Sequence, residues 1–139
     1  MKPMRPALLL ALLLAAGTAT ADQPPPVTVK TLLTTDKTVL GQKLVLPKHD
    51  PVLIVSTYDI APGARLPRHQ HPFSRYAYVL QGDLTVEFDG GLQKQYHAGD
   101  FIVEAVGSWH FGMNPGKLPV RLLVIDQVEA GQPATILAK

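Results

Sequence analysis

Residues 63–82 read Gly63-Ala64-Arg65-Leu66-Pro67-Arg68-His69-Gln70-His71-Pro72-Phe73-Ser74-Arg75-Tyr76-Ala77-Tyr78-Val79-Leu80-Gln81-Gly82, and this stretch decides the fold. It follows a Pro62-Gly63 turn and runs into Gln81-Gly82-Asp83, both of them chemistry that ends strands. Between the turns, His69 and His71 stand two residues apart, which on an extended chain turns both imidazoles to one face. Arg75 shares their parity and points the same way; Tyr76 and Tyr78 have the opposite parity to Arg75, which suits core or dimer packing.

A His-x-His pair alone is a weak signal, because most such pairs are solvated surface histidines. What strengthens it lies further along. From Gly99 the chain runs through Glu104, Ala105, Gly107 and the segment Ser108-Trp109-His110-Phe111 to Asn114. His110 brings a third imidazole from a separate extended segment, which an interior metal site on a β scaffold requires. Imidazole suits zinc, iron, nickel and copper, whereas harder ions prefer carboxylate-rich sites.

The rest of the chain from Asp22 reads as short β-runs broken by turns. The candidate strands are Val39 to Leu46, Pro51 to Ile60, Tyr76 to Leu80, Leu84 to Phe88, Phe101 to Val103 and Val120 to Val128. They are rich in Val, Ile, Leu and Tyr. Asp89-Gly90-Gly91 is a hairpin signal, and Asn114-Pro115-Gly116 is a further turn. No stretch of helical length carries an apolar stripe, so the pattern predicts a sandwich or barrel.

The spacing of the glycines and histidines resembles the two signature motifs of the cupin superfamily, G-x5-HxH-x3-4-E-x6-G and G-x5-P-x-G-x2-H-x3-N. Eight of the ten motif positions match, at Gly63, His69, His71, Gly82, Gly99, Gly107, His110 and Asn114. The resemblance implies an all-β double-stranded β-helix, or jelly roll. It also implies His69, His71 and His110 as ligands of a divalent transition metal inside the barrel mouth, and pairing as homodimers. The apolar residues of Val39 to Leu46 are candidates to join a neighbouring sheet.

Two motif positions depart. Ala105 replaces a turn proline, and Arg75 replaces the glutamate that is the family's usual fourth ligand. A guanidinium cannot ligate a metal. Aimed at a divalent ion from ~5 Å it would be repelled by about 6–7 kcal/mol at an effective dielectric of ~20. Arg75 must therefore swing away, pair with an acid such as Glu104 or Asp59, or hold an anion beside the metal. Glu104, six residues before His110, is a candidate ligand, proton acceptor or orienter of a histidine, and equally an exposed turn carboxylate. Asn114 reads by default as a turn residue, His49 as a loop residue and His97 as surface. Phe73, Trp109 and Phe111 flank the ligands in sequence.

Lys2 and Arg5, the apolar run Ala7 to Ala16 and Ala19-Thr20-Ala21 form a secretory signal pattern. The run is too short to span a bilayer, which needs roughly 20 apolar residues. The expected organisation is a signal peptide over 1–21, a proline-containing leader over 22–34, the barrel over 35–130 and a tail over 131–139, with a periplasmic or secreted location. The chain holds 13 Lys plus Arg against 11 Asp plus Glu; without Lys2 and Arg5 this becomes 11 against 11. A near-neutral domain gives no reason to expect nucleic acid or an anionic membrane as partner. There is no cysteine, so neither disulfide nor thiol chemistry enters.

Two functions follow. One is a dioxygenase-like, isomerase or lyase enzyme acting on a small organic acid or dicarbonyl, with Arg75 clamping a substrate carboxylate and Glu104 taking a proton. The other is a non-catalytic cupin that binds a small anion or a metal.

Overall fold

The computed structural model describes residues 26–139, so the signal pattern over 1–21 lies outside the described residues. Residues 31–139 form one unit. Among the described residues nine strands follow in chain order: β1 Pro51–Ile60, β2 His69–Gln70, β3 Arg75–Gln81, β4 Asp83–Phe88, β5 Gln93–His97, β6 Phe101–Val103, β7 His110–Met113, β8 Val120–Glu129 and β9 Ile136–Leu137. There is no helix among the described residues. The strands form two antiparallel sheets, ordered β1-β8-β3-β6 and β5-β4-β7-β2-β9, the double-stranded β-helix that the motifs imply.

Alternation sets the core. Along β8, Val120, Leu122, Val124, Asp126 and Val128 are buried while their neighbours are not, and along β3 Arg75, Ala77 and Val79 turn inward. Ile60, Leu84 and Ile102 complete the packed cluster from β1, β4 and β6. Turn chemistry fixes the register. Gly63 (φ 75°) follows Pro62 in a turn closed by Ala64 N–H to Ala61 O at 3.0 Å. Gly82 (φ 80°) joins β3 to β4 where a Cβ would lie 2.7 Å from the carbonyl oxygen of Pro119, so no other residue fits.

Val39 to Leu46 is not a strand. A single Lys37–Lys43 bridge closes a loop in which Thr38 N–H donates to Gln42 O at 2.8 Å and Gly41 takes φ 80°. The glycine breaks the apolar run into pairs too short for a ladder. The segment expected to be a tail, 131–139, contains β9, which pairs with β2 through His69–Leu137 and Gln70–Ile136. β5, Gln93-Lys94-Gln95-Tyr96-His97, carries no apolar run and forms because β4 offers it a ladder of five pairs.

Candidate metal centre

The two short strands β2 and β7 lie side by side, with His69 directly across from His110. His71, just past β2, is fixed by a parallel bridge to Val106 and by Gly107 N–H donating to its carbonyl at 2.8 Å. Glu104 follows β6. The ligand atoms of His69, His71, Glu104 and His110 all lie within 4.8 Å of one another. The imidazole centroids are 4.5–5.1 Å apart. Glu104 Oε2 is 3.1 Å from His71 Nε2 and 3.2 Å from His110 Nε2.

Each imidazole is anchored by its other nitrogen. Nδ1 of His69 lies 2.7 Å from Pro67 O, Nδ1 of His71 lies 3.0 Å from Ala134 O, and Nδ1 of His110 lies 2.9 Å from Ser108 O. A carbonyl only accepts, so each Nδ1 carries the hydrogen and each Nε2 turns a lone pair toward the common point. His71 Nε2 is fully buried and makes no hydrogen bond, since its short approach to Glu104 Oε2 is off the donor direction. A buried nitrogen lone pair without a hydrogen, facing two more imidazoles and a carboxylate, fits a transition metal ion.

The electrostatics agree. Burial drives His69 down to about 4, against a small opposing pull from Pro67 O, and keeps it neutral. Burial alone would raise Glu104, but the hydrogen bond from His110 and the nearby His71 and Arg75 hold it well below the usual carboxylate range. His110 is raised despite its burial, because Glu104 accepts a hydrogen from its Nε2 when the ring is charged. An anionic carboxylate beside three converging imidazoles, with His69 kept neutral by burial, makes a donor set for a cation.

Arg75 is buried and faces the interior, paired with Asp126 and with neither Glu104 nor Asp59. Its Nε donates to Asp126 Oδ1 at 2.6 Å and its Nη2 to Asp126 Oδ2 at 3.1 Å and Thr135 Oγ1 at 2.9 Å. Asp59 instead pairs with Arg121 at the surface. Asp126 is hidden in sequence within the apolar run Val120 to Val128, although its even parity with Val120, Leu122 and Val124 marks it as inward. Arg75, His69, His110 and Glu104 share a cavity of about 30 Å³ with Tyr58 and aliphatic side chains that include Leu84.

The flanking aromatics divide. Phe88 packs on His110 with centroids 5.5 Å apart; nothing in its own motif spacing marks it. Phe111 lies under Arg65, with its guanidinium carbon 3.3 Å from the ring centroid, and Trp109 lies under Arg68 at 4.7 Å. Phe73 lines a separate groove with Pro72 and Val45. Asn114 is buried and clamps the turn after β7: it donates to Ile60 O and Leu118 O and accepts from Gly116 N–H. His97 is exposed and pairs with Asp83.

Comparison with known proteins supports this assignment. A family model described as Cupin domain matches residues 56–126, about half of the chain. Germin-like protein subfamily 2 member 3 of Arabidopsis thaliana is 39% identical over 74 residues, which cover 50% of this chain and 34% of that protein. Germin-like protein 1 of Brassica napus is 35% identical over 71 residues, 48% of this chain and 34% of that protein. The chain thus spans about a third of the length of these curated relatives. Among solved structures, an oxalate oxidase in complex with the substrate analogue glycolate superposes with a TM-score of 0.51 at 26% identity, covering 62% of this chain and 46% of the other. A DMSP lyase from Ruegeria pomeroyi, with a TM-score of 0.53 at 22% identity over 62% of this chain and 43% of that one, shares the fold.

Proposed function

This chain belongs to the cupin family, and from that premise we propose that it is an extracytoplasmic metalloprotein that holds a divalent transition metal through His69, His71, His110 and Glu104 and acts on a small organic acid. The observation that carries the reading is the convergence of the three Nε2 atoms and Glu104 Oε2, each imidazole anchored behind by a carbonyl. Glu104 supplies from the end of β6 the carboxylate that Arg75 displaces from the motif position on β3.

When bound, such an ion supplies Lewis acidity toward a carboxylate or carbonyl oxygen and, if redox-active, a route for electrons to dioxygen. The chain's own residues do the rest. Glu104 keeps Oε2 on the histidines and brings a negative charge to the ion site. Arg75, although shared with Asp126, adds positive charge to the cavity wall and draws a carboxylate inward. Leu84, Val86, Leu122 and Val124 exclude water. A cavity of only about 30 Å³ favours small acids over extended dicarbonyls. The similar oxalate oxidase holds glycolate, a two-carbon acid.

The outer face of the β1-β8-β3-β6 sheet supports a homodimer: Leu53, Val55, Leu123, Ile125, Tyr76 and Tyr78 project there, the first two largely exposed. Sedimentation velocity of the protein gives a dimer on this reading, and a monomer removes it. The extracytoplasmic placement rests on the pattern over 1–21, and a periplasmic or secreted product starting near Asp22 by mass spectrometry is expected.

The functional test is elemental analysis of protein purified without a histidine tag, beside His110→Ala. Near-stoichiometric metal lost in the variant, with turnover of glycolate or oxalate followed by oxygen uptake or product analysis, supports the enzyme. Metal without turnover of any small acid leaves the binding protein as the reading. Protein that neither carries nor takes up iron, zinc, nickel, copper or manganese overturns both.

A further inference from the structure

His69 and His110 are anchored by carbonyls two residues upstream in their own segments, Pro67 and Ser108, so any chain that forms β2 and β7 orients them. His71 differs. Its Nδ1 rests on Ala134 O, far along the chain, yet it is the most deeply buried of the three. The segment that brings this carbonyl touches the centre at several further points. Thr135 Oγ1 accepts from Arg75 Nη2 at 2.9 Å. Leu137 lies across from His69 and Ile136 across from Gln70, and Ala138 N–H donates to Arg68 O at 2.9 Å. Residues 134–138 thus form a strap along the far side of β2 from β7, touching both ligands of the His-x-His pair.

The strap is lightly held. β9 has two residues, forms the edge of its sheet, and leaves Ile136 39% and Leu137 60% exposed. Such edges open at a small fraction of the global unfolding free energy. When the strap lifts, His71 loses the acceptor that fixes its tautomer and ring angle, and Arg75 loses one of its three hydrogen bonds.

We propose that residues 134–138 are a positioning part of the metal centre, with Ala134 orienting His71 and Thr135 holding Ala134 in register, so that ion binding and docking of the strap form one coupled equilibrium. This rests on the metal reading above. Reciprocity then requires that an ion favouring the docked strap be bound more tightly by it, by the same factor. Anchors of metal-bound histidines typically contribute 10–100-fold to affinity.

The experiment uses Co(II) as probe, with its visible absorption and dissociation constant measured for the full chain, for Thr135→Val and Thr135→Ser, and for a chain ending at Pro133. Thr135→Val is expected to bind about tenfold more weakly with shifted absorption bands, Thr135→Ser to restore both, and the shortened chain to lose about 10–100-fold. Amide exchange at Leu137 and Ala138 slows on Co(II) addition. Unchanged affinity and spectrum in Thr135→Val, with exchange at Ala138 indifferent to the ion, overturn the proposal. Should the wild-type chain bind no metal, the metal reading fails separately. The strap is then judged by ring 15N shifts in the metal-free protein. A single Nδ1–H tautomer of His71 that becomes mixed in Thr135→Val or the shortened chain, while His69 and His110 stay fixed, supports positioning. An unchanged His71 overturns it.

Discussion

Arg75 and Asp126 sit opposite each other on β3 and β8, both under a tenth exposed, and each satisfies the other's charge. Replacing Arg75 by Leu strands a buried carboxylate and is expected to cost about 3–5 kcal/mol in urea unfolding, while the Arg75→Leu, Asp126→Leu double variant recovers most of the loss. An additive double variant would mean that the pair is not coupled. Tyr96 presents the reverse case. Its hydroxyl is buried without a partner, and burial, with Glu104 and Asp100 nearby, pushes the phenol up to about 12. Tyr96→Phe removes the unsatisfied group and is expected to stabilise the fold by about 1 kcal/mol; a loss on chemical denaturation contradicts this. Of these residues, the three histidines were legible because their spacing from the glycines is fixed by turns. Glu104 was legible only as one of several roles, since its convergence with His71 and His110 depends on how β6 meets β7. Ala134 was invisible, because it acts through a carbonyl that every residue has.

Strand by strand, legibility followed side-chain chemistry. Pro51–Ile60 and Phe101–Val103 coincide with their apolar runs, since β-branched and aromatic residues there fill the sheet faces. Gln93–His97 escaped notice because its pairing is backbone to backbone with β4, and the Asp89-Gly90-Gly91 turn was its only advertisement. Across that hairpin, His97 Nδ1 lies 2.7 Å from Asp83 Oδ1. The hydrogen bond and charge of Asp83 raise His97 above its ordinary 6.5. The pair's contribution is therefore complete below about pH 6.5 and lost as pH rises through the raised value. Both groups are exposed, so the effect is small and screened by salt. An NMR titration should place His97 above 6.5 and Asp83→Asn should bring it back. A midpoint unmoved by Asp83→Asn would rule out the coupling.

At the scale of the molecule, the four candidate ligands come from both sheets, with His69, His71 and His110 on or beside β2 and β7 and Glu104 beyond β6. An ion joining them binds only the folded chain. At an ion concentration 100-fold above the dissociation constant this adds about 2.7 kcal/mol, or roughly 10 °C in Tm for a domain of this size. Scanning calorimetry of wild-type and His110→Ala protein checks this, since the variant should show little rise. The overall barrel was legible from the motifs, but the closing of β2 by β9 was not, because two exposed residues carry no pattern. The pairing of Pro51 with Glu129 at one margin of the fold has a temporal consequence. β1 leaves the ribosome long before β8 exists, an interval of several seconds at roughly 5–20 residues per second. Val52-Leu53-Ile54-Val55 is uncovered throughout. Folding of such a chain begins late and proceeds on the slow, millisecond-to-second scale of non-local β topologies.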